Sequence, residues 1–245
     1  MENFKLDTSS YVPLYQQIKE FIVEKIENKE WKPGDKIYSE NQMFDWFNVS
    51  RNTVKKAIED LEQEGVLYRL QGKGTFVNKP KIEQSLSGFY SFSEVLKEKG
   101  LKPKDVVLDV SVEKANHKVA QSLQIDKDEE VVVLQRLRYA HEEPIILESS
   151  YLRKDNIREA SKLEEVKNTP LYELLRSEYN IHVNSAKEAF EPVLINELEG
   201  NYLDVNIGSP ALLLERIAYD EKRIPVEFCK SIVRGDRCKF YTELF

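Results

Sequence analysis

The sequence predicts an α+β protein in two parts: a helical N-terminal region closed by a β-hairpin, then a larger region built on a mainly antiparallel sheet. Three observations lead there. Between residues 39 and 77, two short helices with apolar faces precede two strand-like runs around a glycine-rich turn. Asn78-Lys79-Pro80-Lys81 then breaks the pattern. From Ile82 onward, apolar runs come in pairs around polar turns with helical stretches between them, the texture of an α+β domain. The expected division is residues 1–78, a linker over 79–84, and residues 85–245.

Leu14, Ile18, Phe21, Ile22 and Ile26 fall on one face of a first helix, which starts near Pro13 because proline suits a helix's first turn. Glu30 to Asp35 closes it, with Trp31 expected against the second helix. That helix opens at Ser39, where Gln42 completes a capping-box pattern, and runs through Met43, Phe44 and Phe47. Asn48-Val49 makes a turn, and Ser50 caps a third helix whose Val54, Ala57, Ile58 and Leu61 share a face. Arg51, Asn52, Lys55 and Lys56 are left on the outer surface of its N-terminal part. Gly65 stops it. Residues 66–70 and 75–77 read as strands joined by Gln71-Gly72-Lys73-Gly74, with a cation at the tip. A hairpin beside a helix-turn-helix is a winged helix. Its third helix suits the major groove, where first-turn side chains reach base edges and phosphates.

In the second region Ser91-Phe92-Ser93 precedes a helix over 94–99 that Gly100 ends. Residues 104–114 alternate like a strand and 116–123 like a short helix. Residues 131–139 and 144–152 are strands about His141-Glu142-Glu143. Helix 171–179, strand 184–192 and helix 195–203 follow, then strands 211–220 and 225–234 about Glu221-Lys222-Arg223. The sum is a sheet of about six strands with helices outside. Arg136 and Arg138 share a parity, so both emerge on one strand face. Two guanidiniums there require an anion, either the protein's own carboxylates or a bound phosphate or carboxylate. Ser91 and Ser93 flank a helix start, and are either its caps or part of an anion cradle.

The chain has 245 residues, 41% hydrophobic and 32% charged, enough for a real core under a soluble surface. Its net charge of −7 does not exclude nucleic acid, because binding follows the local potential. Arg51, Lys55, Lys56, Arg69 and Lys73 gather on the expected DNA face. Residues 1–10 lack the apolar stretch of a signal peptide, and no run is long enough for a membrane span, so a cytoplasmic location is expected. Cys229 and Cys238 form neither a disulfide framework nor a metal pattern and are expected as reduced thiols. His117, His141 and His182 are dispersed, and no metal or cofactor is expected.

Ser50-Arg51-Asn52-Thr53-Val54-Lys55-Lys56-Ala57, Leu61, Glu64-Gly65 and Gly72-Lys73-Gly74-Thr75-Phe76-Val77 resemble the winged-helix domain of GntR-type transcriptional regulators. The resemblance implies DNA contacts from Ser39, Asn41, Ser50, Arg51, Asn52, Thr53, Lys55, Lys56, Gly72, Lys73 and Gly74. Asn41 and Lys55 stand where relatives carry arginine, which changes base readout because an ammonium lacks the bidentate fork.

Lys79-Pro80-Lys81, Gly88-Phe89-Tyr90-Ser91-Phe92-Ser93, Arg136-x-Arg138-Tyr139, Pro144 to Tyr151 and Arg234-Gly235-Asp236-Arg237 resemble the UTRA effector domain of the HutC subfamily, which has a chorismate lyase-like fold. Its amino-sugar-utilisation repressors sense phosphorylated glucosamine derivatives. That similarity implies a phosphate cradle of Ser91, Phe92 and Ser93 and a clamp of Arg136 and Arg138. Tyr172 would add a hydroxyl, and Glu148 and Glu227 would take sugar hydroxyls or an amino nitrogen. Val233 and Pro170 depart from those sensors on the sugar side. The implied protein is a homodimer on a double-stranded operator, a repressor of a sugar or amino-sugar operon released by a phosphorylated sugar. The alternative is the same regulator answering a non-phosphorylated, urocanate-like metabolite. A chorismate lyase-like enzyme finds no catalytic set in the sequence.

Overall fold

The structure, a computed structural model, describes residues 4–87 and 91–244. Gly88, Phe89 and Tyr90 of the UTRA-like motif lie outside the described residues. The chain forms two compact units, residues 1–81 and 82–245.

In the first unit α1 (Leu14–Glu27), α2 (Glu40–Phe47) and α3 (Arg51–Gln63) surround one apolar core. Its centre is Phe21, whose ring meets Trp46 at 5.2 Å and Phe47 at 5.4 Å. Trp31 stands edge-on to Phe21 and to Tyr38. Tyr38 in turn meets Trp46 of α2, and Trp31 packs on the core cluster that contains Met43 of that helix. The capping box forms as read: the Ser39 hydroxyl accepts the Gln42 N–H, and Gln42 Oε1 accepts the Ser39 N–H at 2.9 Å. Asn48 takes the left-handed conformation, φ 52°, that turns α2 into α3. Strands β1 (Leu67–Leu70) and β2 (Gly74–Val77) make the wing, in register from Leu67 opposite Val77 to Leu70 opposite Gly74. Residues 34–37 tie β2 to the helices, since Ile37 N–H donates to Thr75 O and Val77 N–H to Asp35 O.

The second unit is a six-stranded antiparallel sheet. In chain order its strands are β4 (Pro103–Lys114), β5 (Glu130–Ala140), β6 (Glu143–Arg153), β7 (Ser185–Leu194), β8 (Pro210–Tyr219) and β9 (Pro225–Arg234). Their spatial order is β4-β5-β6-β9-β8-β7. Helices α4 (Phe92–Glu98), α5 (His117–Leu123), α6 (Leu171–Tyr179) and α7 (Glu197–Leu203) lie between strands in sequence. A parallel pair falls outside the expected elements: β3 (Ile82–Ser85), partly within the expected linker, pairs with β10 (Cys238–Tyr241). Residues 160–167 form 3₁₀ turns that pack with α6 over Val132, Leu134 and Leu152.

Candidate functional site

Ser50 caps α3 by accepting the Thr53 N–H at 3.1 Å, and the two hydroxyls lie 2.8 Å apart. Around this cap Arg51, Asn52, Lys55 and Lys56 are exposed, and Thr53 is half-buried. The Arg51 guanidinium lies 5.4 Å from the Phe44 ring, and the Lys56 ammonium 4.4 Å from Tyr15. Lys55 makes only a loose exposed pair with Glu59, 3.5 Å away. Lys73 is exposed in the wing's turn between Gly72 and Gly74, whose φ of 72° and 120° explain the two glycines. Ser39 and Asn41 are exposed at the start of α2, with the Ser39 hydroxyl engaged in its cap. Arg69, expected with the cations of this face, is instead bonded to Glu40 at 2.8 Å and Glu62 at 3.0 Å. Its charge therefore offsets theirs.

The second unit holds a cavity of about 50 Å³ on one sheet face. Register builds it. Parity puts Arg136 and Arg138 on the side of Val132 and Leu134. Strand pairing then sets Arg136 opposite Glu148, and Glu148 opposite Ser231. Both arginines are buried, at 2% and 9% exposure, so each must be paired. Arg136 bonds Asp105 at 3.0 Å and also Glu148. Arg138 bonds Asp105 at 3.2 Å, Glu148 at 3.2 Å and the Ser93 hydroxyl at 3.0 Å. Burial pushes the Glu148 carboxyl up, but the guanidiniums of Arg138, Arg136 and Arg216 outweigh it and bring its pKa down to about 2. At the cavity's other polar group Tyr172 donates to Glu227 at 2.7 Å, and Arg216 donates to Glu188 at 2.6 Å. Burial, then Glu227, holds the Tyr172 hydroxyl well above its ordinary pKa, so it stays a donor.

Of the expected effector residues, Ser91, Phe92, Arg136, Arg138, Glu148, Tyr172 and Glu227 all line this cavity. Ser93 does not; it is buried and holds Arg138. Ser91 occupies the N-cap position of α4 without a side-chain cap bond. Val233 packs in the core beside Ile146 and is not in the lining. Sequence reading missed Gln84, Arg216 and Ser231 in the wall, and Asp105 behind it. Only the parity of β4 against β5 could have flagged Asp105, and that requires the register. The Arg234-Gly235-Asp236 tripeptide closes on itself, with Arg234 bonded to Asp236 at 2.7 Å. Cys229 and Cys238 are buried and are not in disulfides. Among the described residues no acidic, histidine or cysteine group could hold a metal, and no helix is long and apolar enough to cross a membrane.

A winged helix-turn-helix unit, joined to a separate unit with a buried charged cavity, defines a DNA-binding regulator that also binds a small molecule. Residues 14–77 match the bacterial regulatory proteins of the gntR family, and residues 98–239 match the UTRA domain. The chain belongs to the gntR family and carries a UTRA effector domain; it is a transcriptional regulator and not an enzyme. It is 33% identical to the HTH-type transcriptional repressor NagR of Bacillus subtilis over 96% of both chains. To a probable fructoselysine utilization operon transcriptional repressor of Escherichia coli it is 28% identical over 94% of both. PhnF from Mycobacterium smegmatis is similar in structure, with a TM-score of 0.64 and 26% identity over 93% of this chain and 99% of that one.

Proposed function

We propose that this regulator represses an operon for using a sugar or amino sugar, binds its operator as a homodimer, and is released by a phosphorylated sugar in the cavity of its second unit. One observation carries the reading: two buried guanidiniums and a third, Arg216, line one cavity together with Glu148, Glu227 and Tyr172. An arginine has five N–H donors. Arg136 uses two of them and Arg138 three, so both retain donors for a phosphate's oxygens after their own carboxylates are served. Glu148 and Glu227 supply acceptors for hydroxyls or an ammonium at the ligand's other end. The cavity has room for a few waters and is smaller than a hexose phosphate requires. Release then follows if the ligand fits one conformation of the regulator better than the other. In the first unit the exposed set Asn41, Arg51, Asn52, Lys55, Lys56 and Lys73 serves bases and phosphates, with Ser39, Ser50, Thr53, Gly72 and Gly74 shaping the surface that presents them. The relative named as a probable fructoselysine utilization operon repressor supports the sugar reading.

The pairing of both arginines with Asp105 and Glu148 favours a second reading, a regulator whose ligand carries no phosphate. Operator retardation by the purified chain decides between them. A hexose 6-phosphate should release the DNA and its free sugar should not. Release by the free sugar alone would replace the first reading with the second, and no retardation at low salt would end both.

A further inference from the structure

We infer that Gln84 of β3 is a ligand-reading residue of the cavity, donating its side-chain amide to an oxygen of an anionic or polyhydroxylated ligand. The inference rests on the effector reading above and adds to it a residue from a strand that the sequence did not reveal. Gln84 is 3% exposed and is one of the residues that line the cavity. Its Nε2 is buried and makes no hydrogen bond. Arg136 Nε, in the wall of the same cavity, is also buried and unbonded. Buried polar atoms are nearly always satisfied, and each one that is not asks for a reason. Two orphan donors on residues that line one small polar cavity have a common reason: an acceptor that arrives with the ligand.

The surrounding contacts fix Gln84 in place. Gln84 stands opposite Phe240 in the parallel pair with β10. Either side of it, Ile82 N–H donates to Arg237 O at 2.7 Å and Leu86 N–H to Tyr241 O at 2.8 Å. On the opposite face of β3, exposed Glu83 pairs with Lys239 at 2.7 Å. The strand is thus held by backbone bonds to the β10 segment and by the Glu83–Lys239 pair, while the Gln84 amide donor is left without an acceptor. A purely structural glutamine would be bonded there or replaced by an apolar side chain of the same length.

The test uses the full chain, with glucose 6-phosphate, glucosamine 6-phosphate, fructose 6-phosphate and inorganic phosphate as probes. Thermal melting and calorimetric titration are followed for Gln84→Met, Gln84→Glu and, as a control on the cavity itself, Arg138→Lys. Gln84→Met removes an unsatisfied donor, so the protein without probe should melt no lower than wild type. The best probe should nonetheless bind about tenfold more weakly. Gln84→Glu should lose more, because a carboxylate repels an anion. Wild-type affinity in both Gln84 variants, with Arg138→Lys impaired, would overturn the role of Gln84 and leave the cavity reading standing. Normal binding in all three, or no binding of any probe by wild type, would overturn the cavity reading and this inference together. Should Gln84→Met melt lower, Gln84→Glu decides. Selectively weaker binding of the phosphates by that variant supports the inference, and unchanged binding overturns it.

Discussion

Glu148 sits where the cavity's charges meet, bonded to Arg136, Arg138 and Ser231. Its carboxyl is held at about 2 against an ordinary 4.5. A depressed carboxylate contributes stability that is complete above its unfolded pKa and is lost as pH falls through the folded one. Melting of the second unit should therefore weaken steadily from about pH 4.5 to 2, by up to about 3 kcal/mol, and Glu148→Gln should flatten that slope in an acid titration followed by circular dichroism. Arg136→Ala would leave Asp105 and Glu148 buried with one guanidinium fewer, and should cost about 3–5 kcal/mol in denaturant unfolding. At the other site, Ser50→Ala removes the cap of α3 and should cost about 1 kcal/mol, along with weaker operator binding. The shared face of Arg136 and Arg138 was legible in the sequence, because strand parity is local. Asp105 and Gln84 were not. Asp105 reaches the pair only through the register of β4 on β5, and Gln84 through a strand of four residues whose partner is far along the chain.

At the scale of elements, the helices of the first unit were legible because caps and apolar spacing agree: Ser39, Ser50 and the Val54-Ala57-Ile58-Leu61 stripe all do what their positions imply. The six sheet strands were legible for a similar reason, since each is long and bounded by polar turns. The β3–β10 pair and the 3₁₀ turns at 160–167 carry no period that distinguishes them from loop. Ile58 is fully buried between the helices. Ile58→Ala should therefore destabilise the first unit by about 2–5 kcal/mol and abolish operator retardation. Calorimetric titration should still detect the probe in the second unit, whose core is separate.

For the molecule as a whole, net charge and DNA affinity pull in opposite directions. The chain carries −7, yet the α3 tip and the wing present exposed Arg51, Lys55, Lys56 and Lys73. Binding that depends on those few cations should fall steeply with salt. Replacing Lys55 or Lys73 with alanine should lower the slope of log affinity against log salt by about 0.9 each, measured by anisotropy on an operator fragment. An unchanged slope would take that residue off the phosphate backbone.

The parallel β3–β10 pair also sets an order of events during synthesis. Lys239 and Glu83, ion-paired across it, are 156 positions apart. Residues 1–81 can emerge from the ribosome and fold on contacts that are all already present. The first strand of the following unit must wait until residues 238–241 are translated before it finds its neighbour. For that interval a nascent chain has a closed first unit and a second whose opening strand still lacks its neighbour.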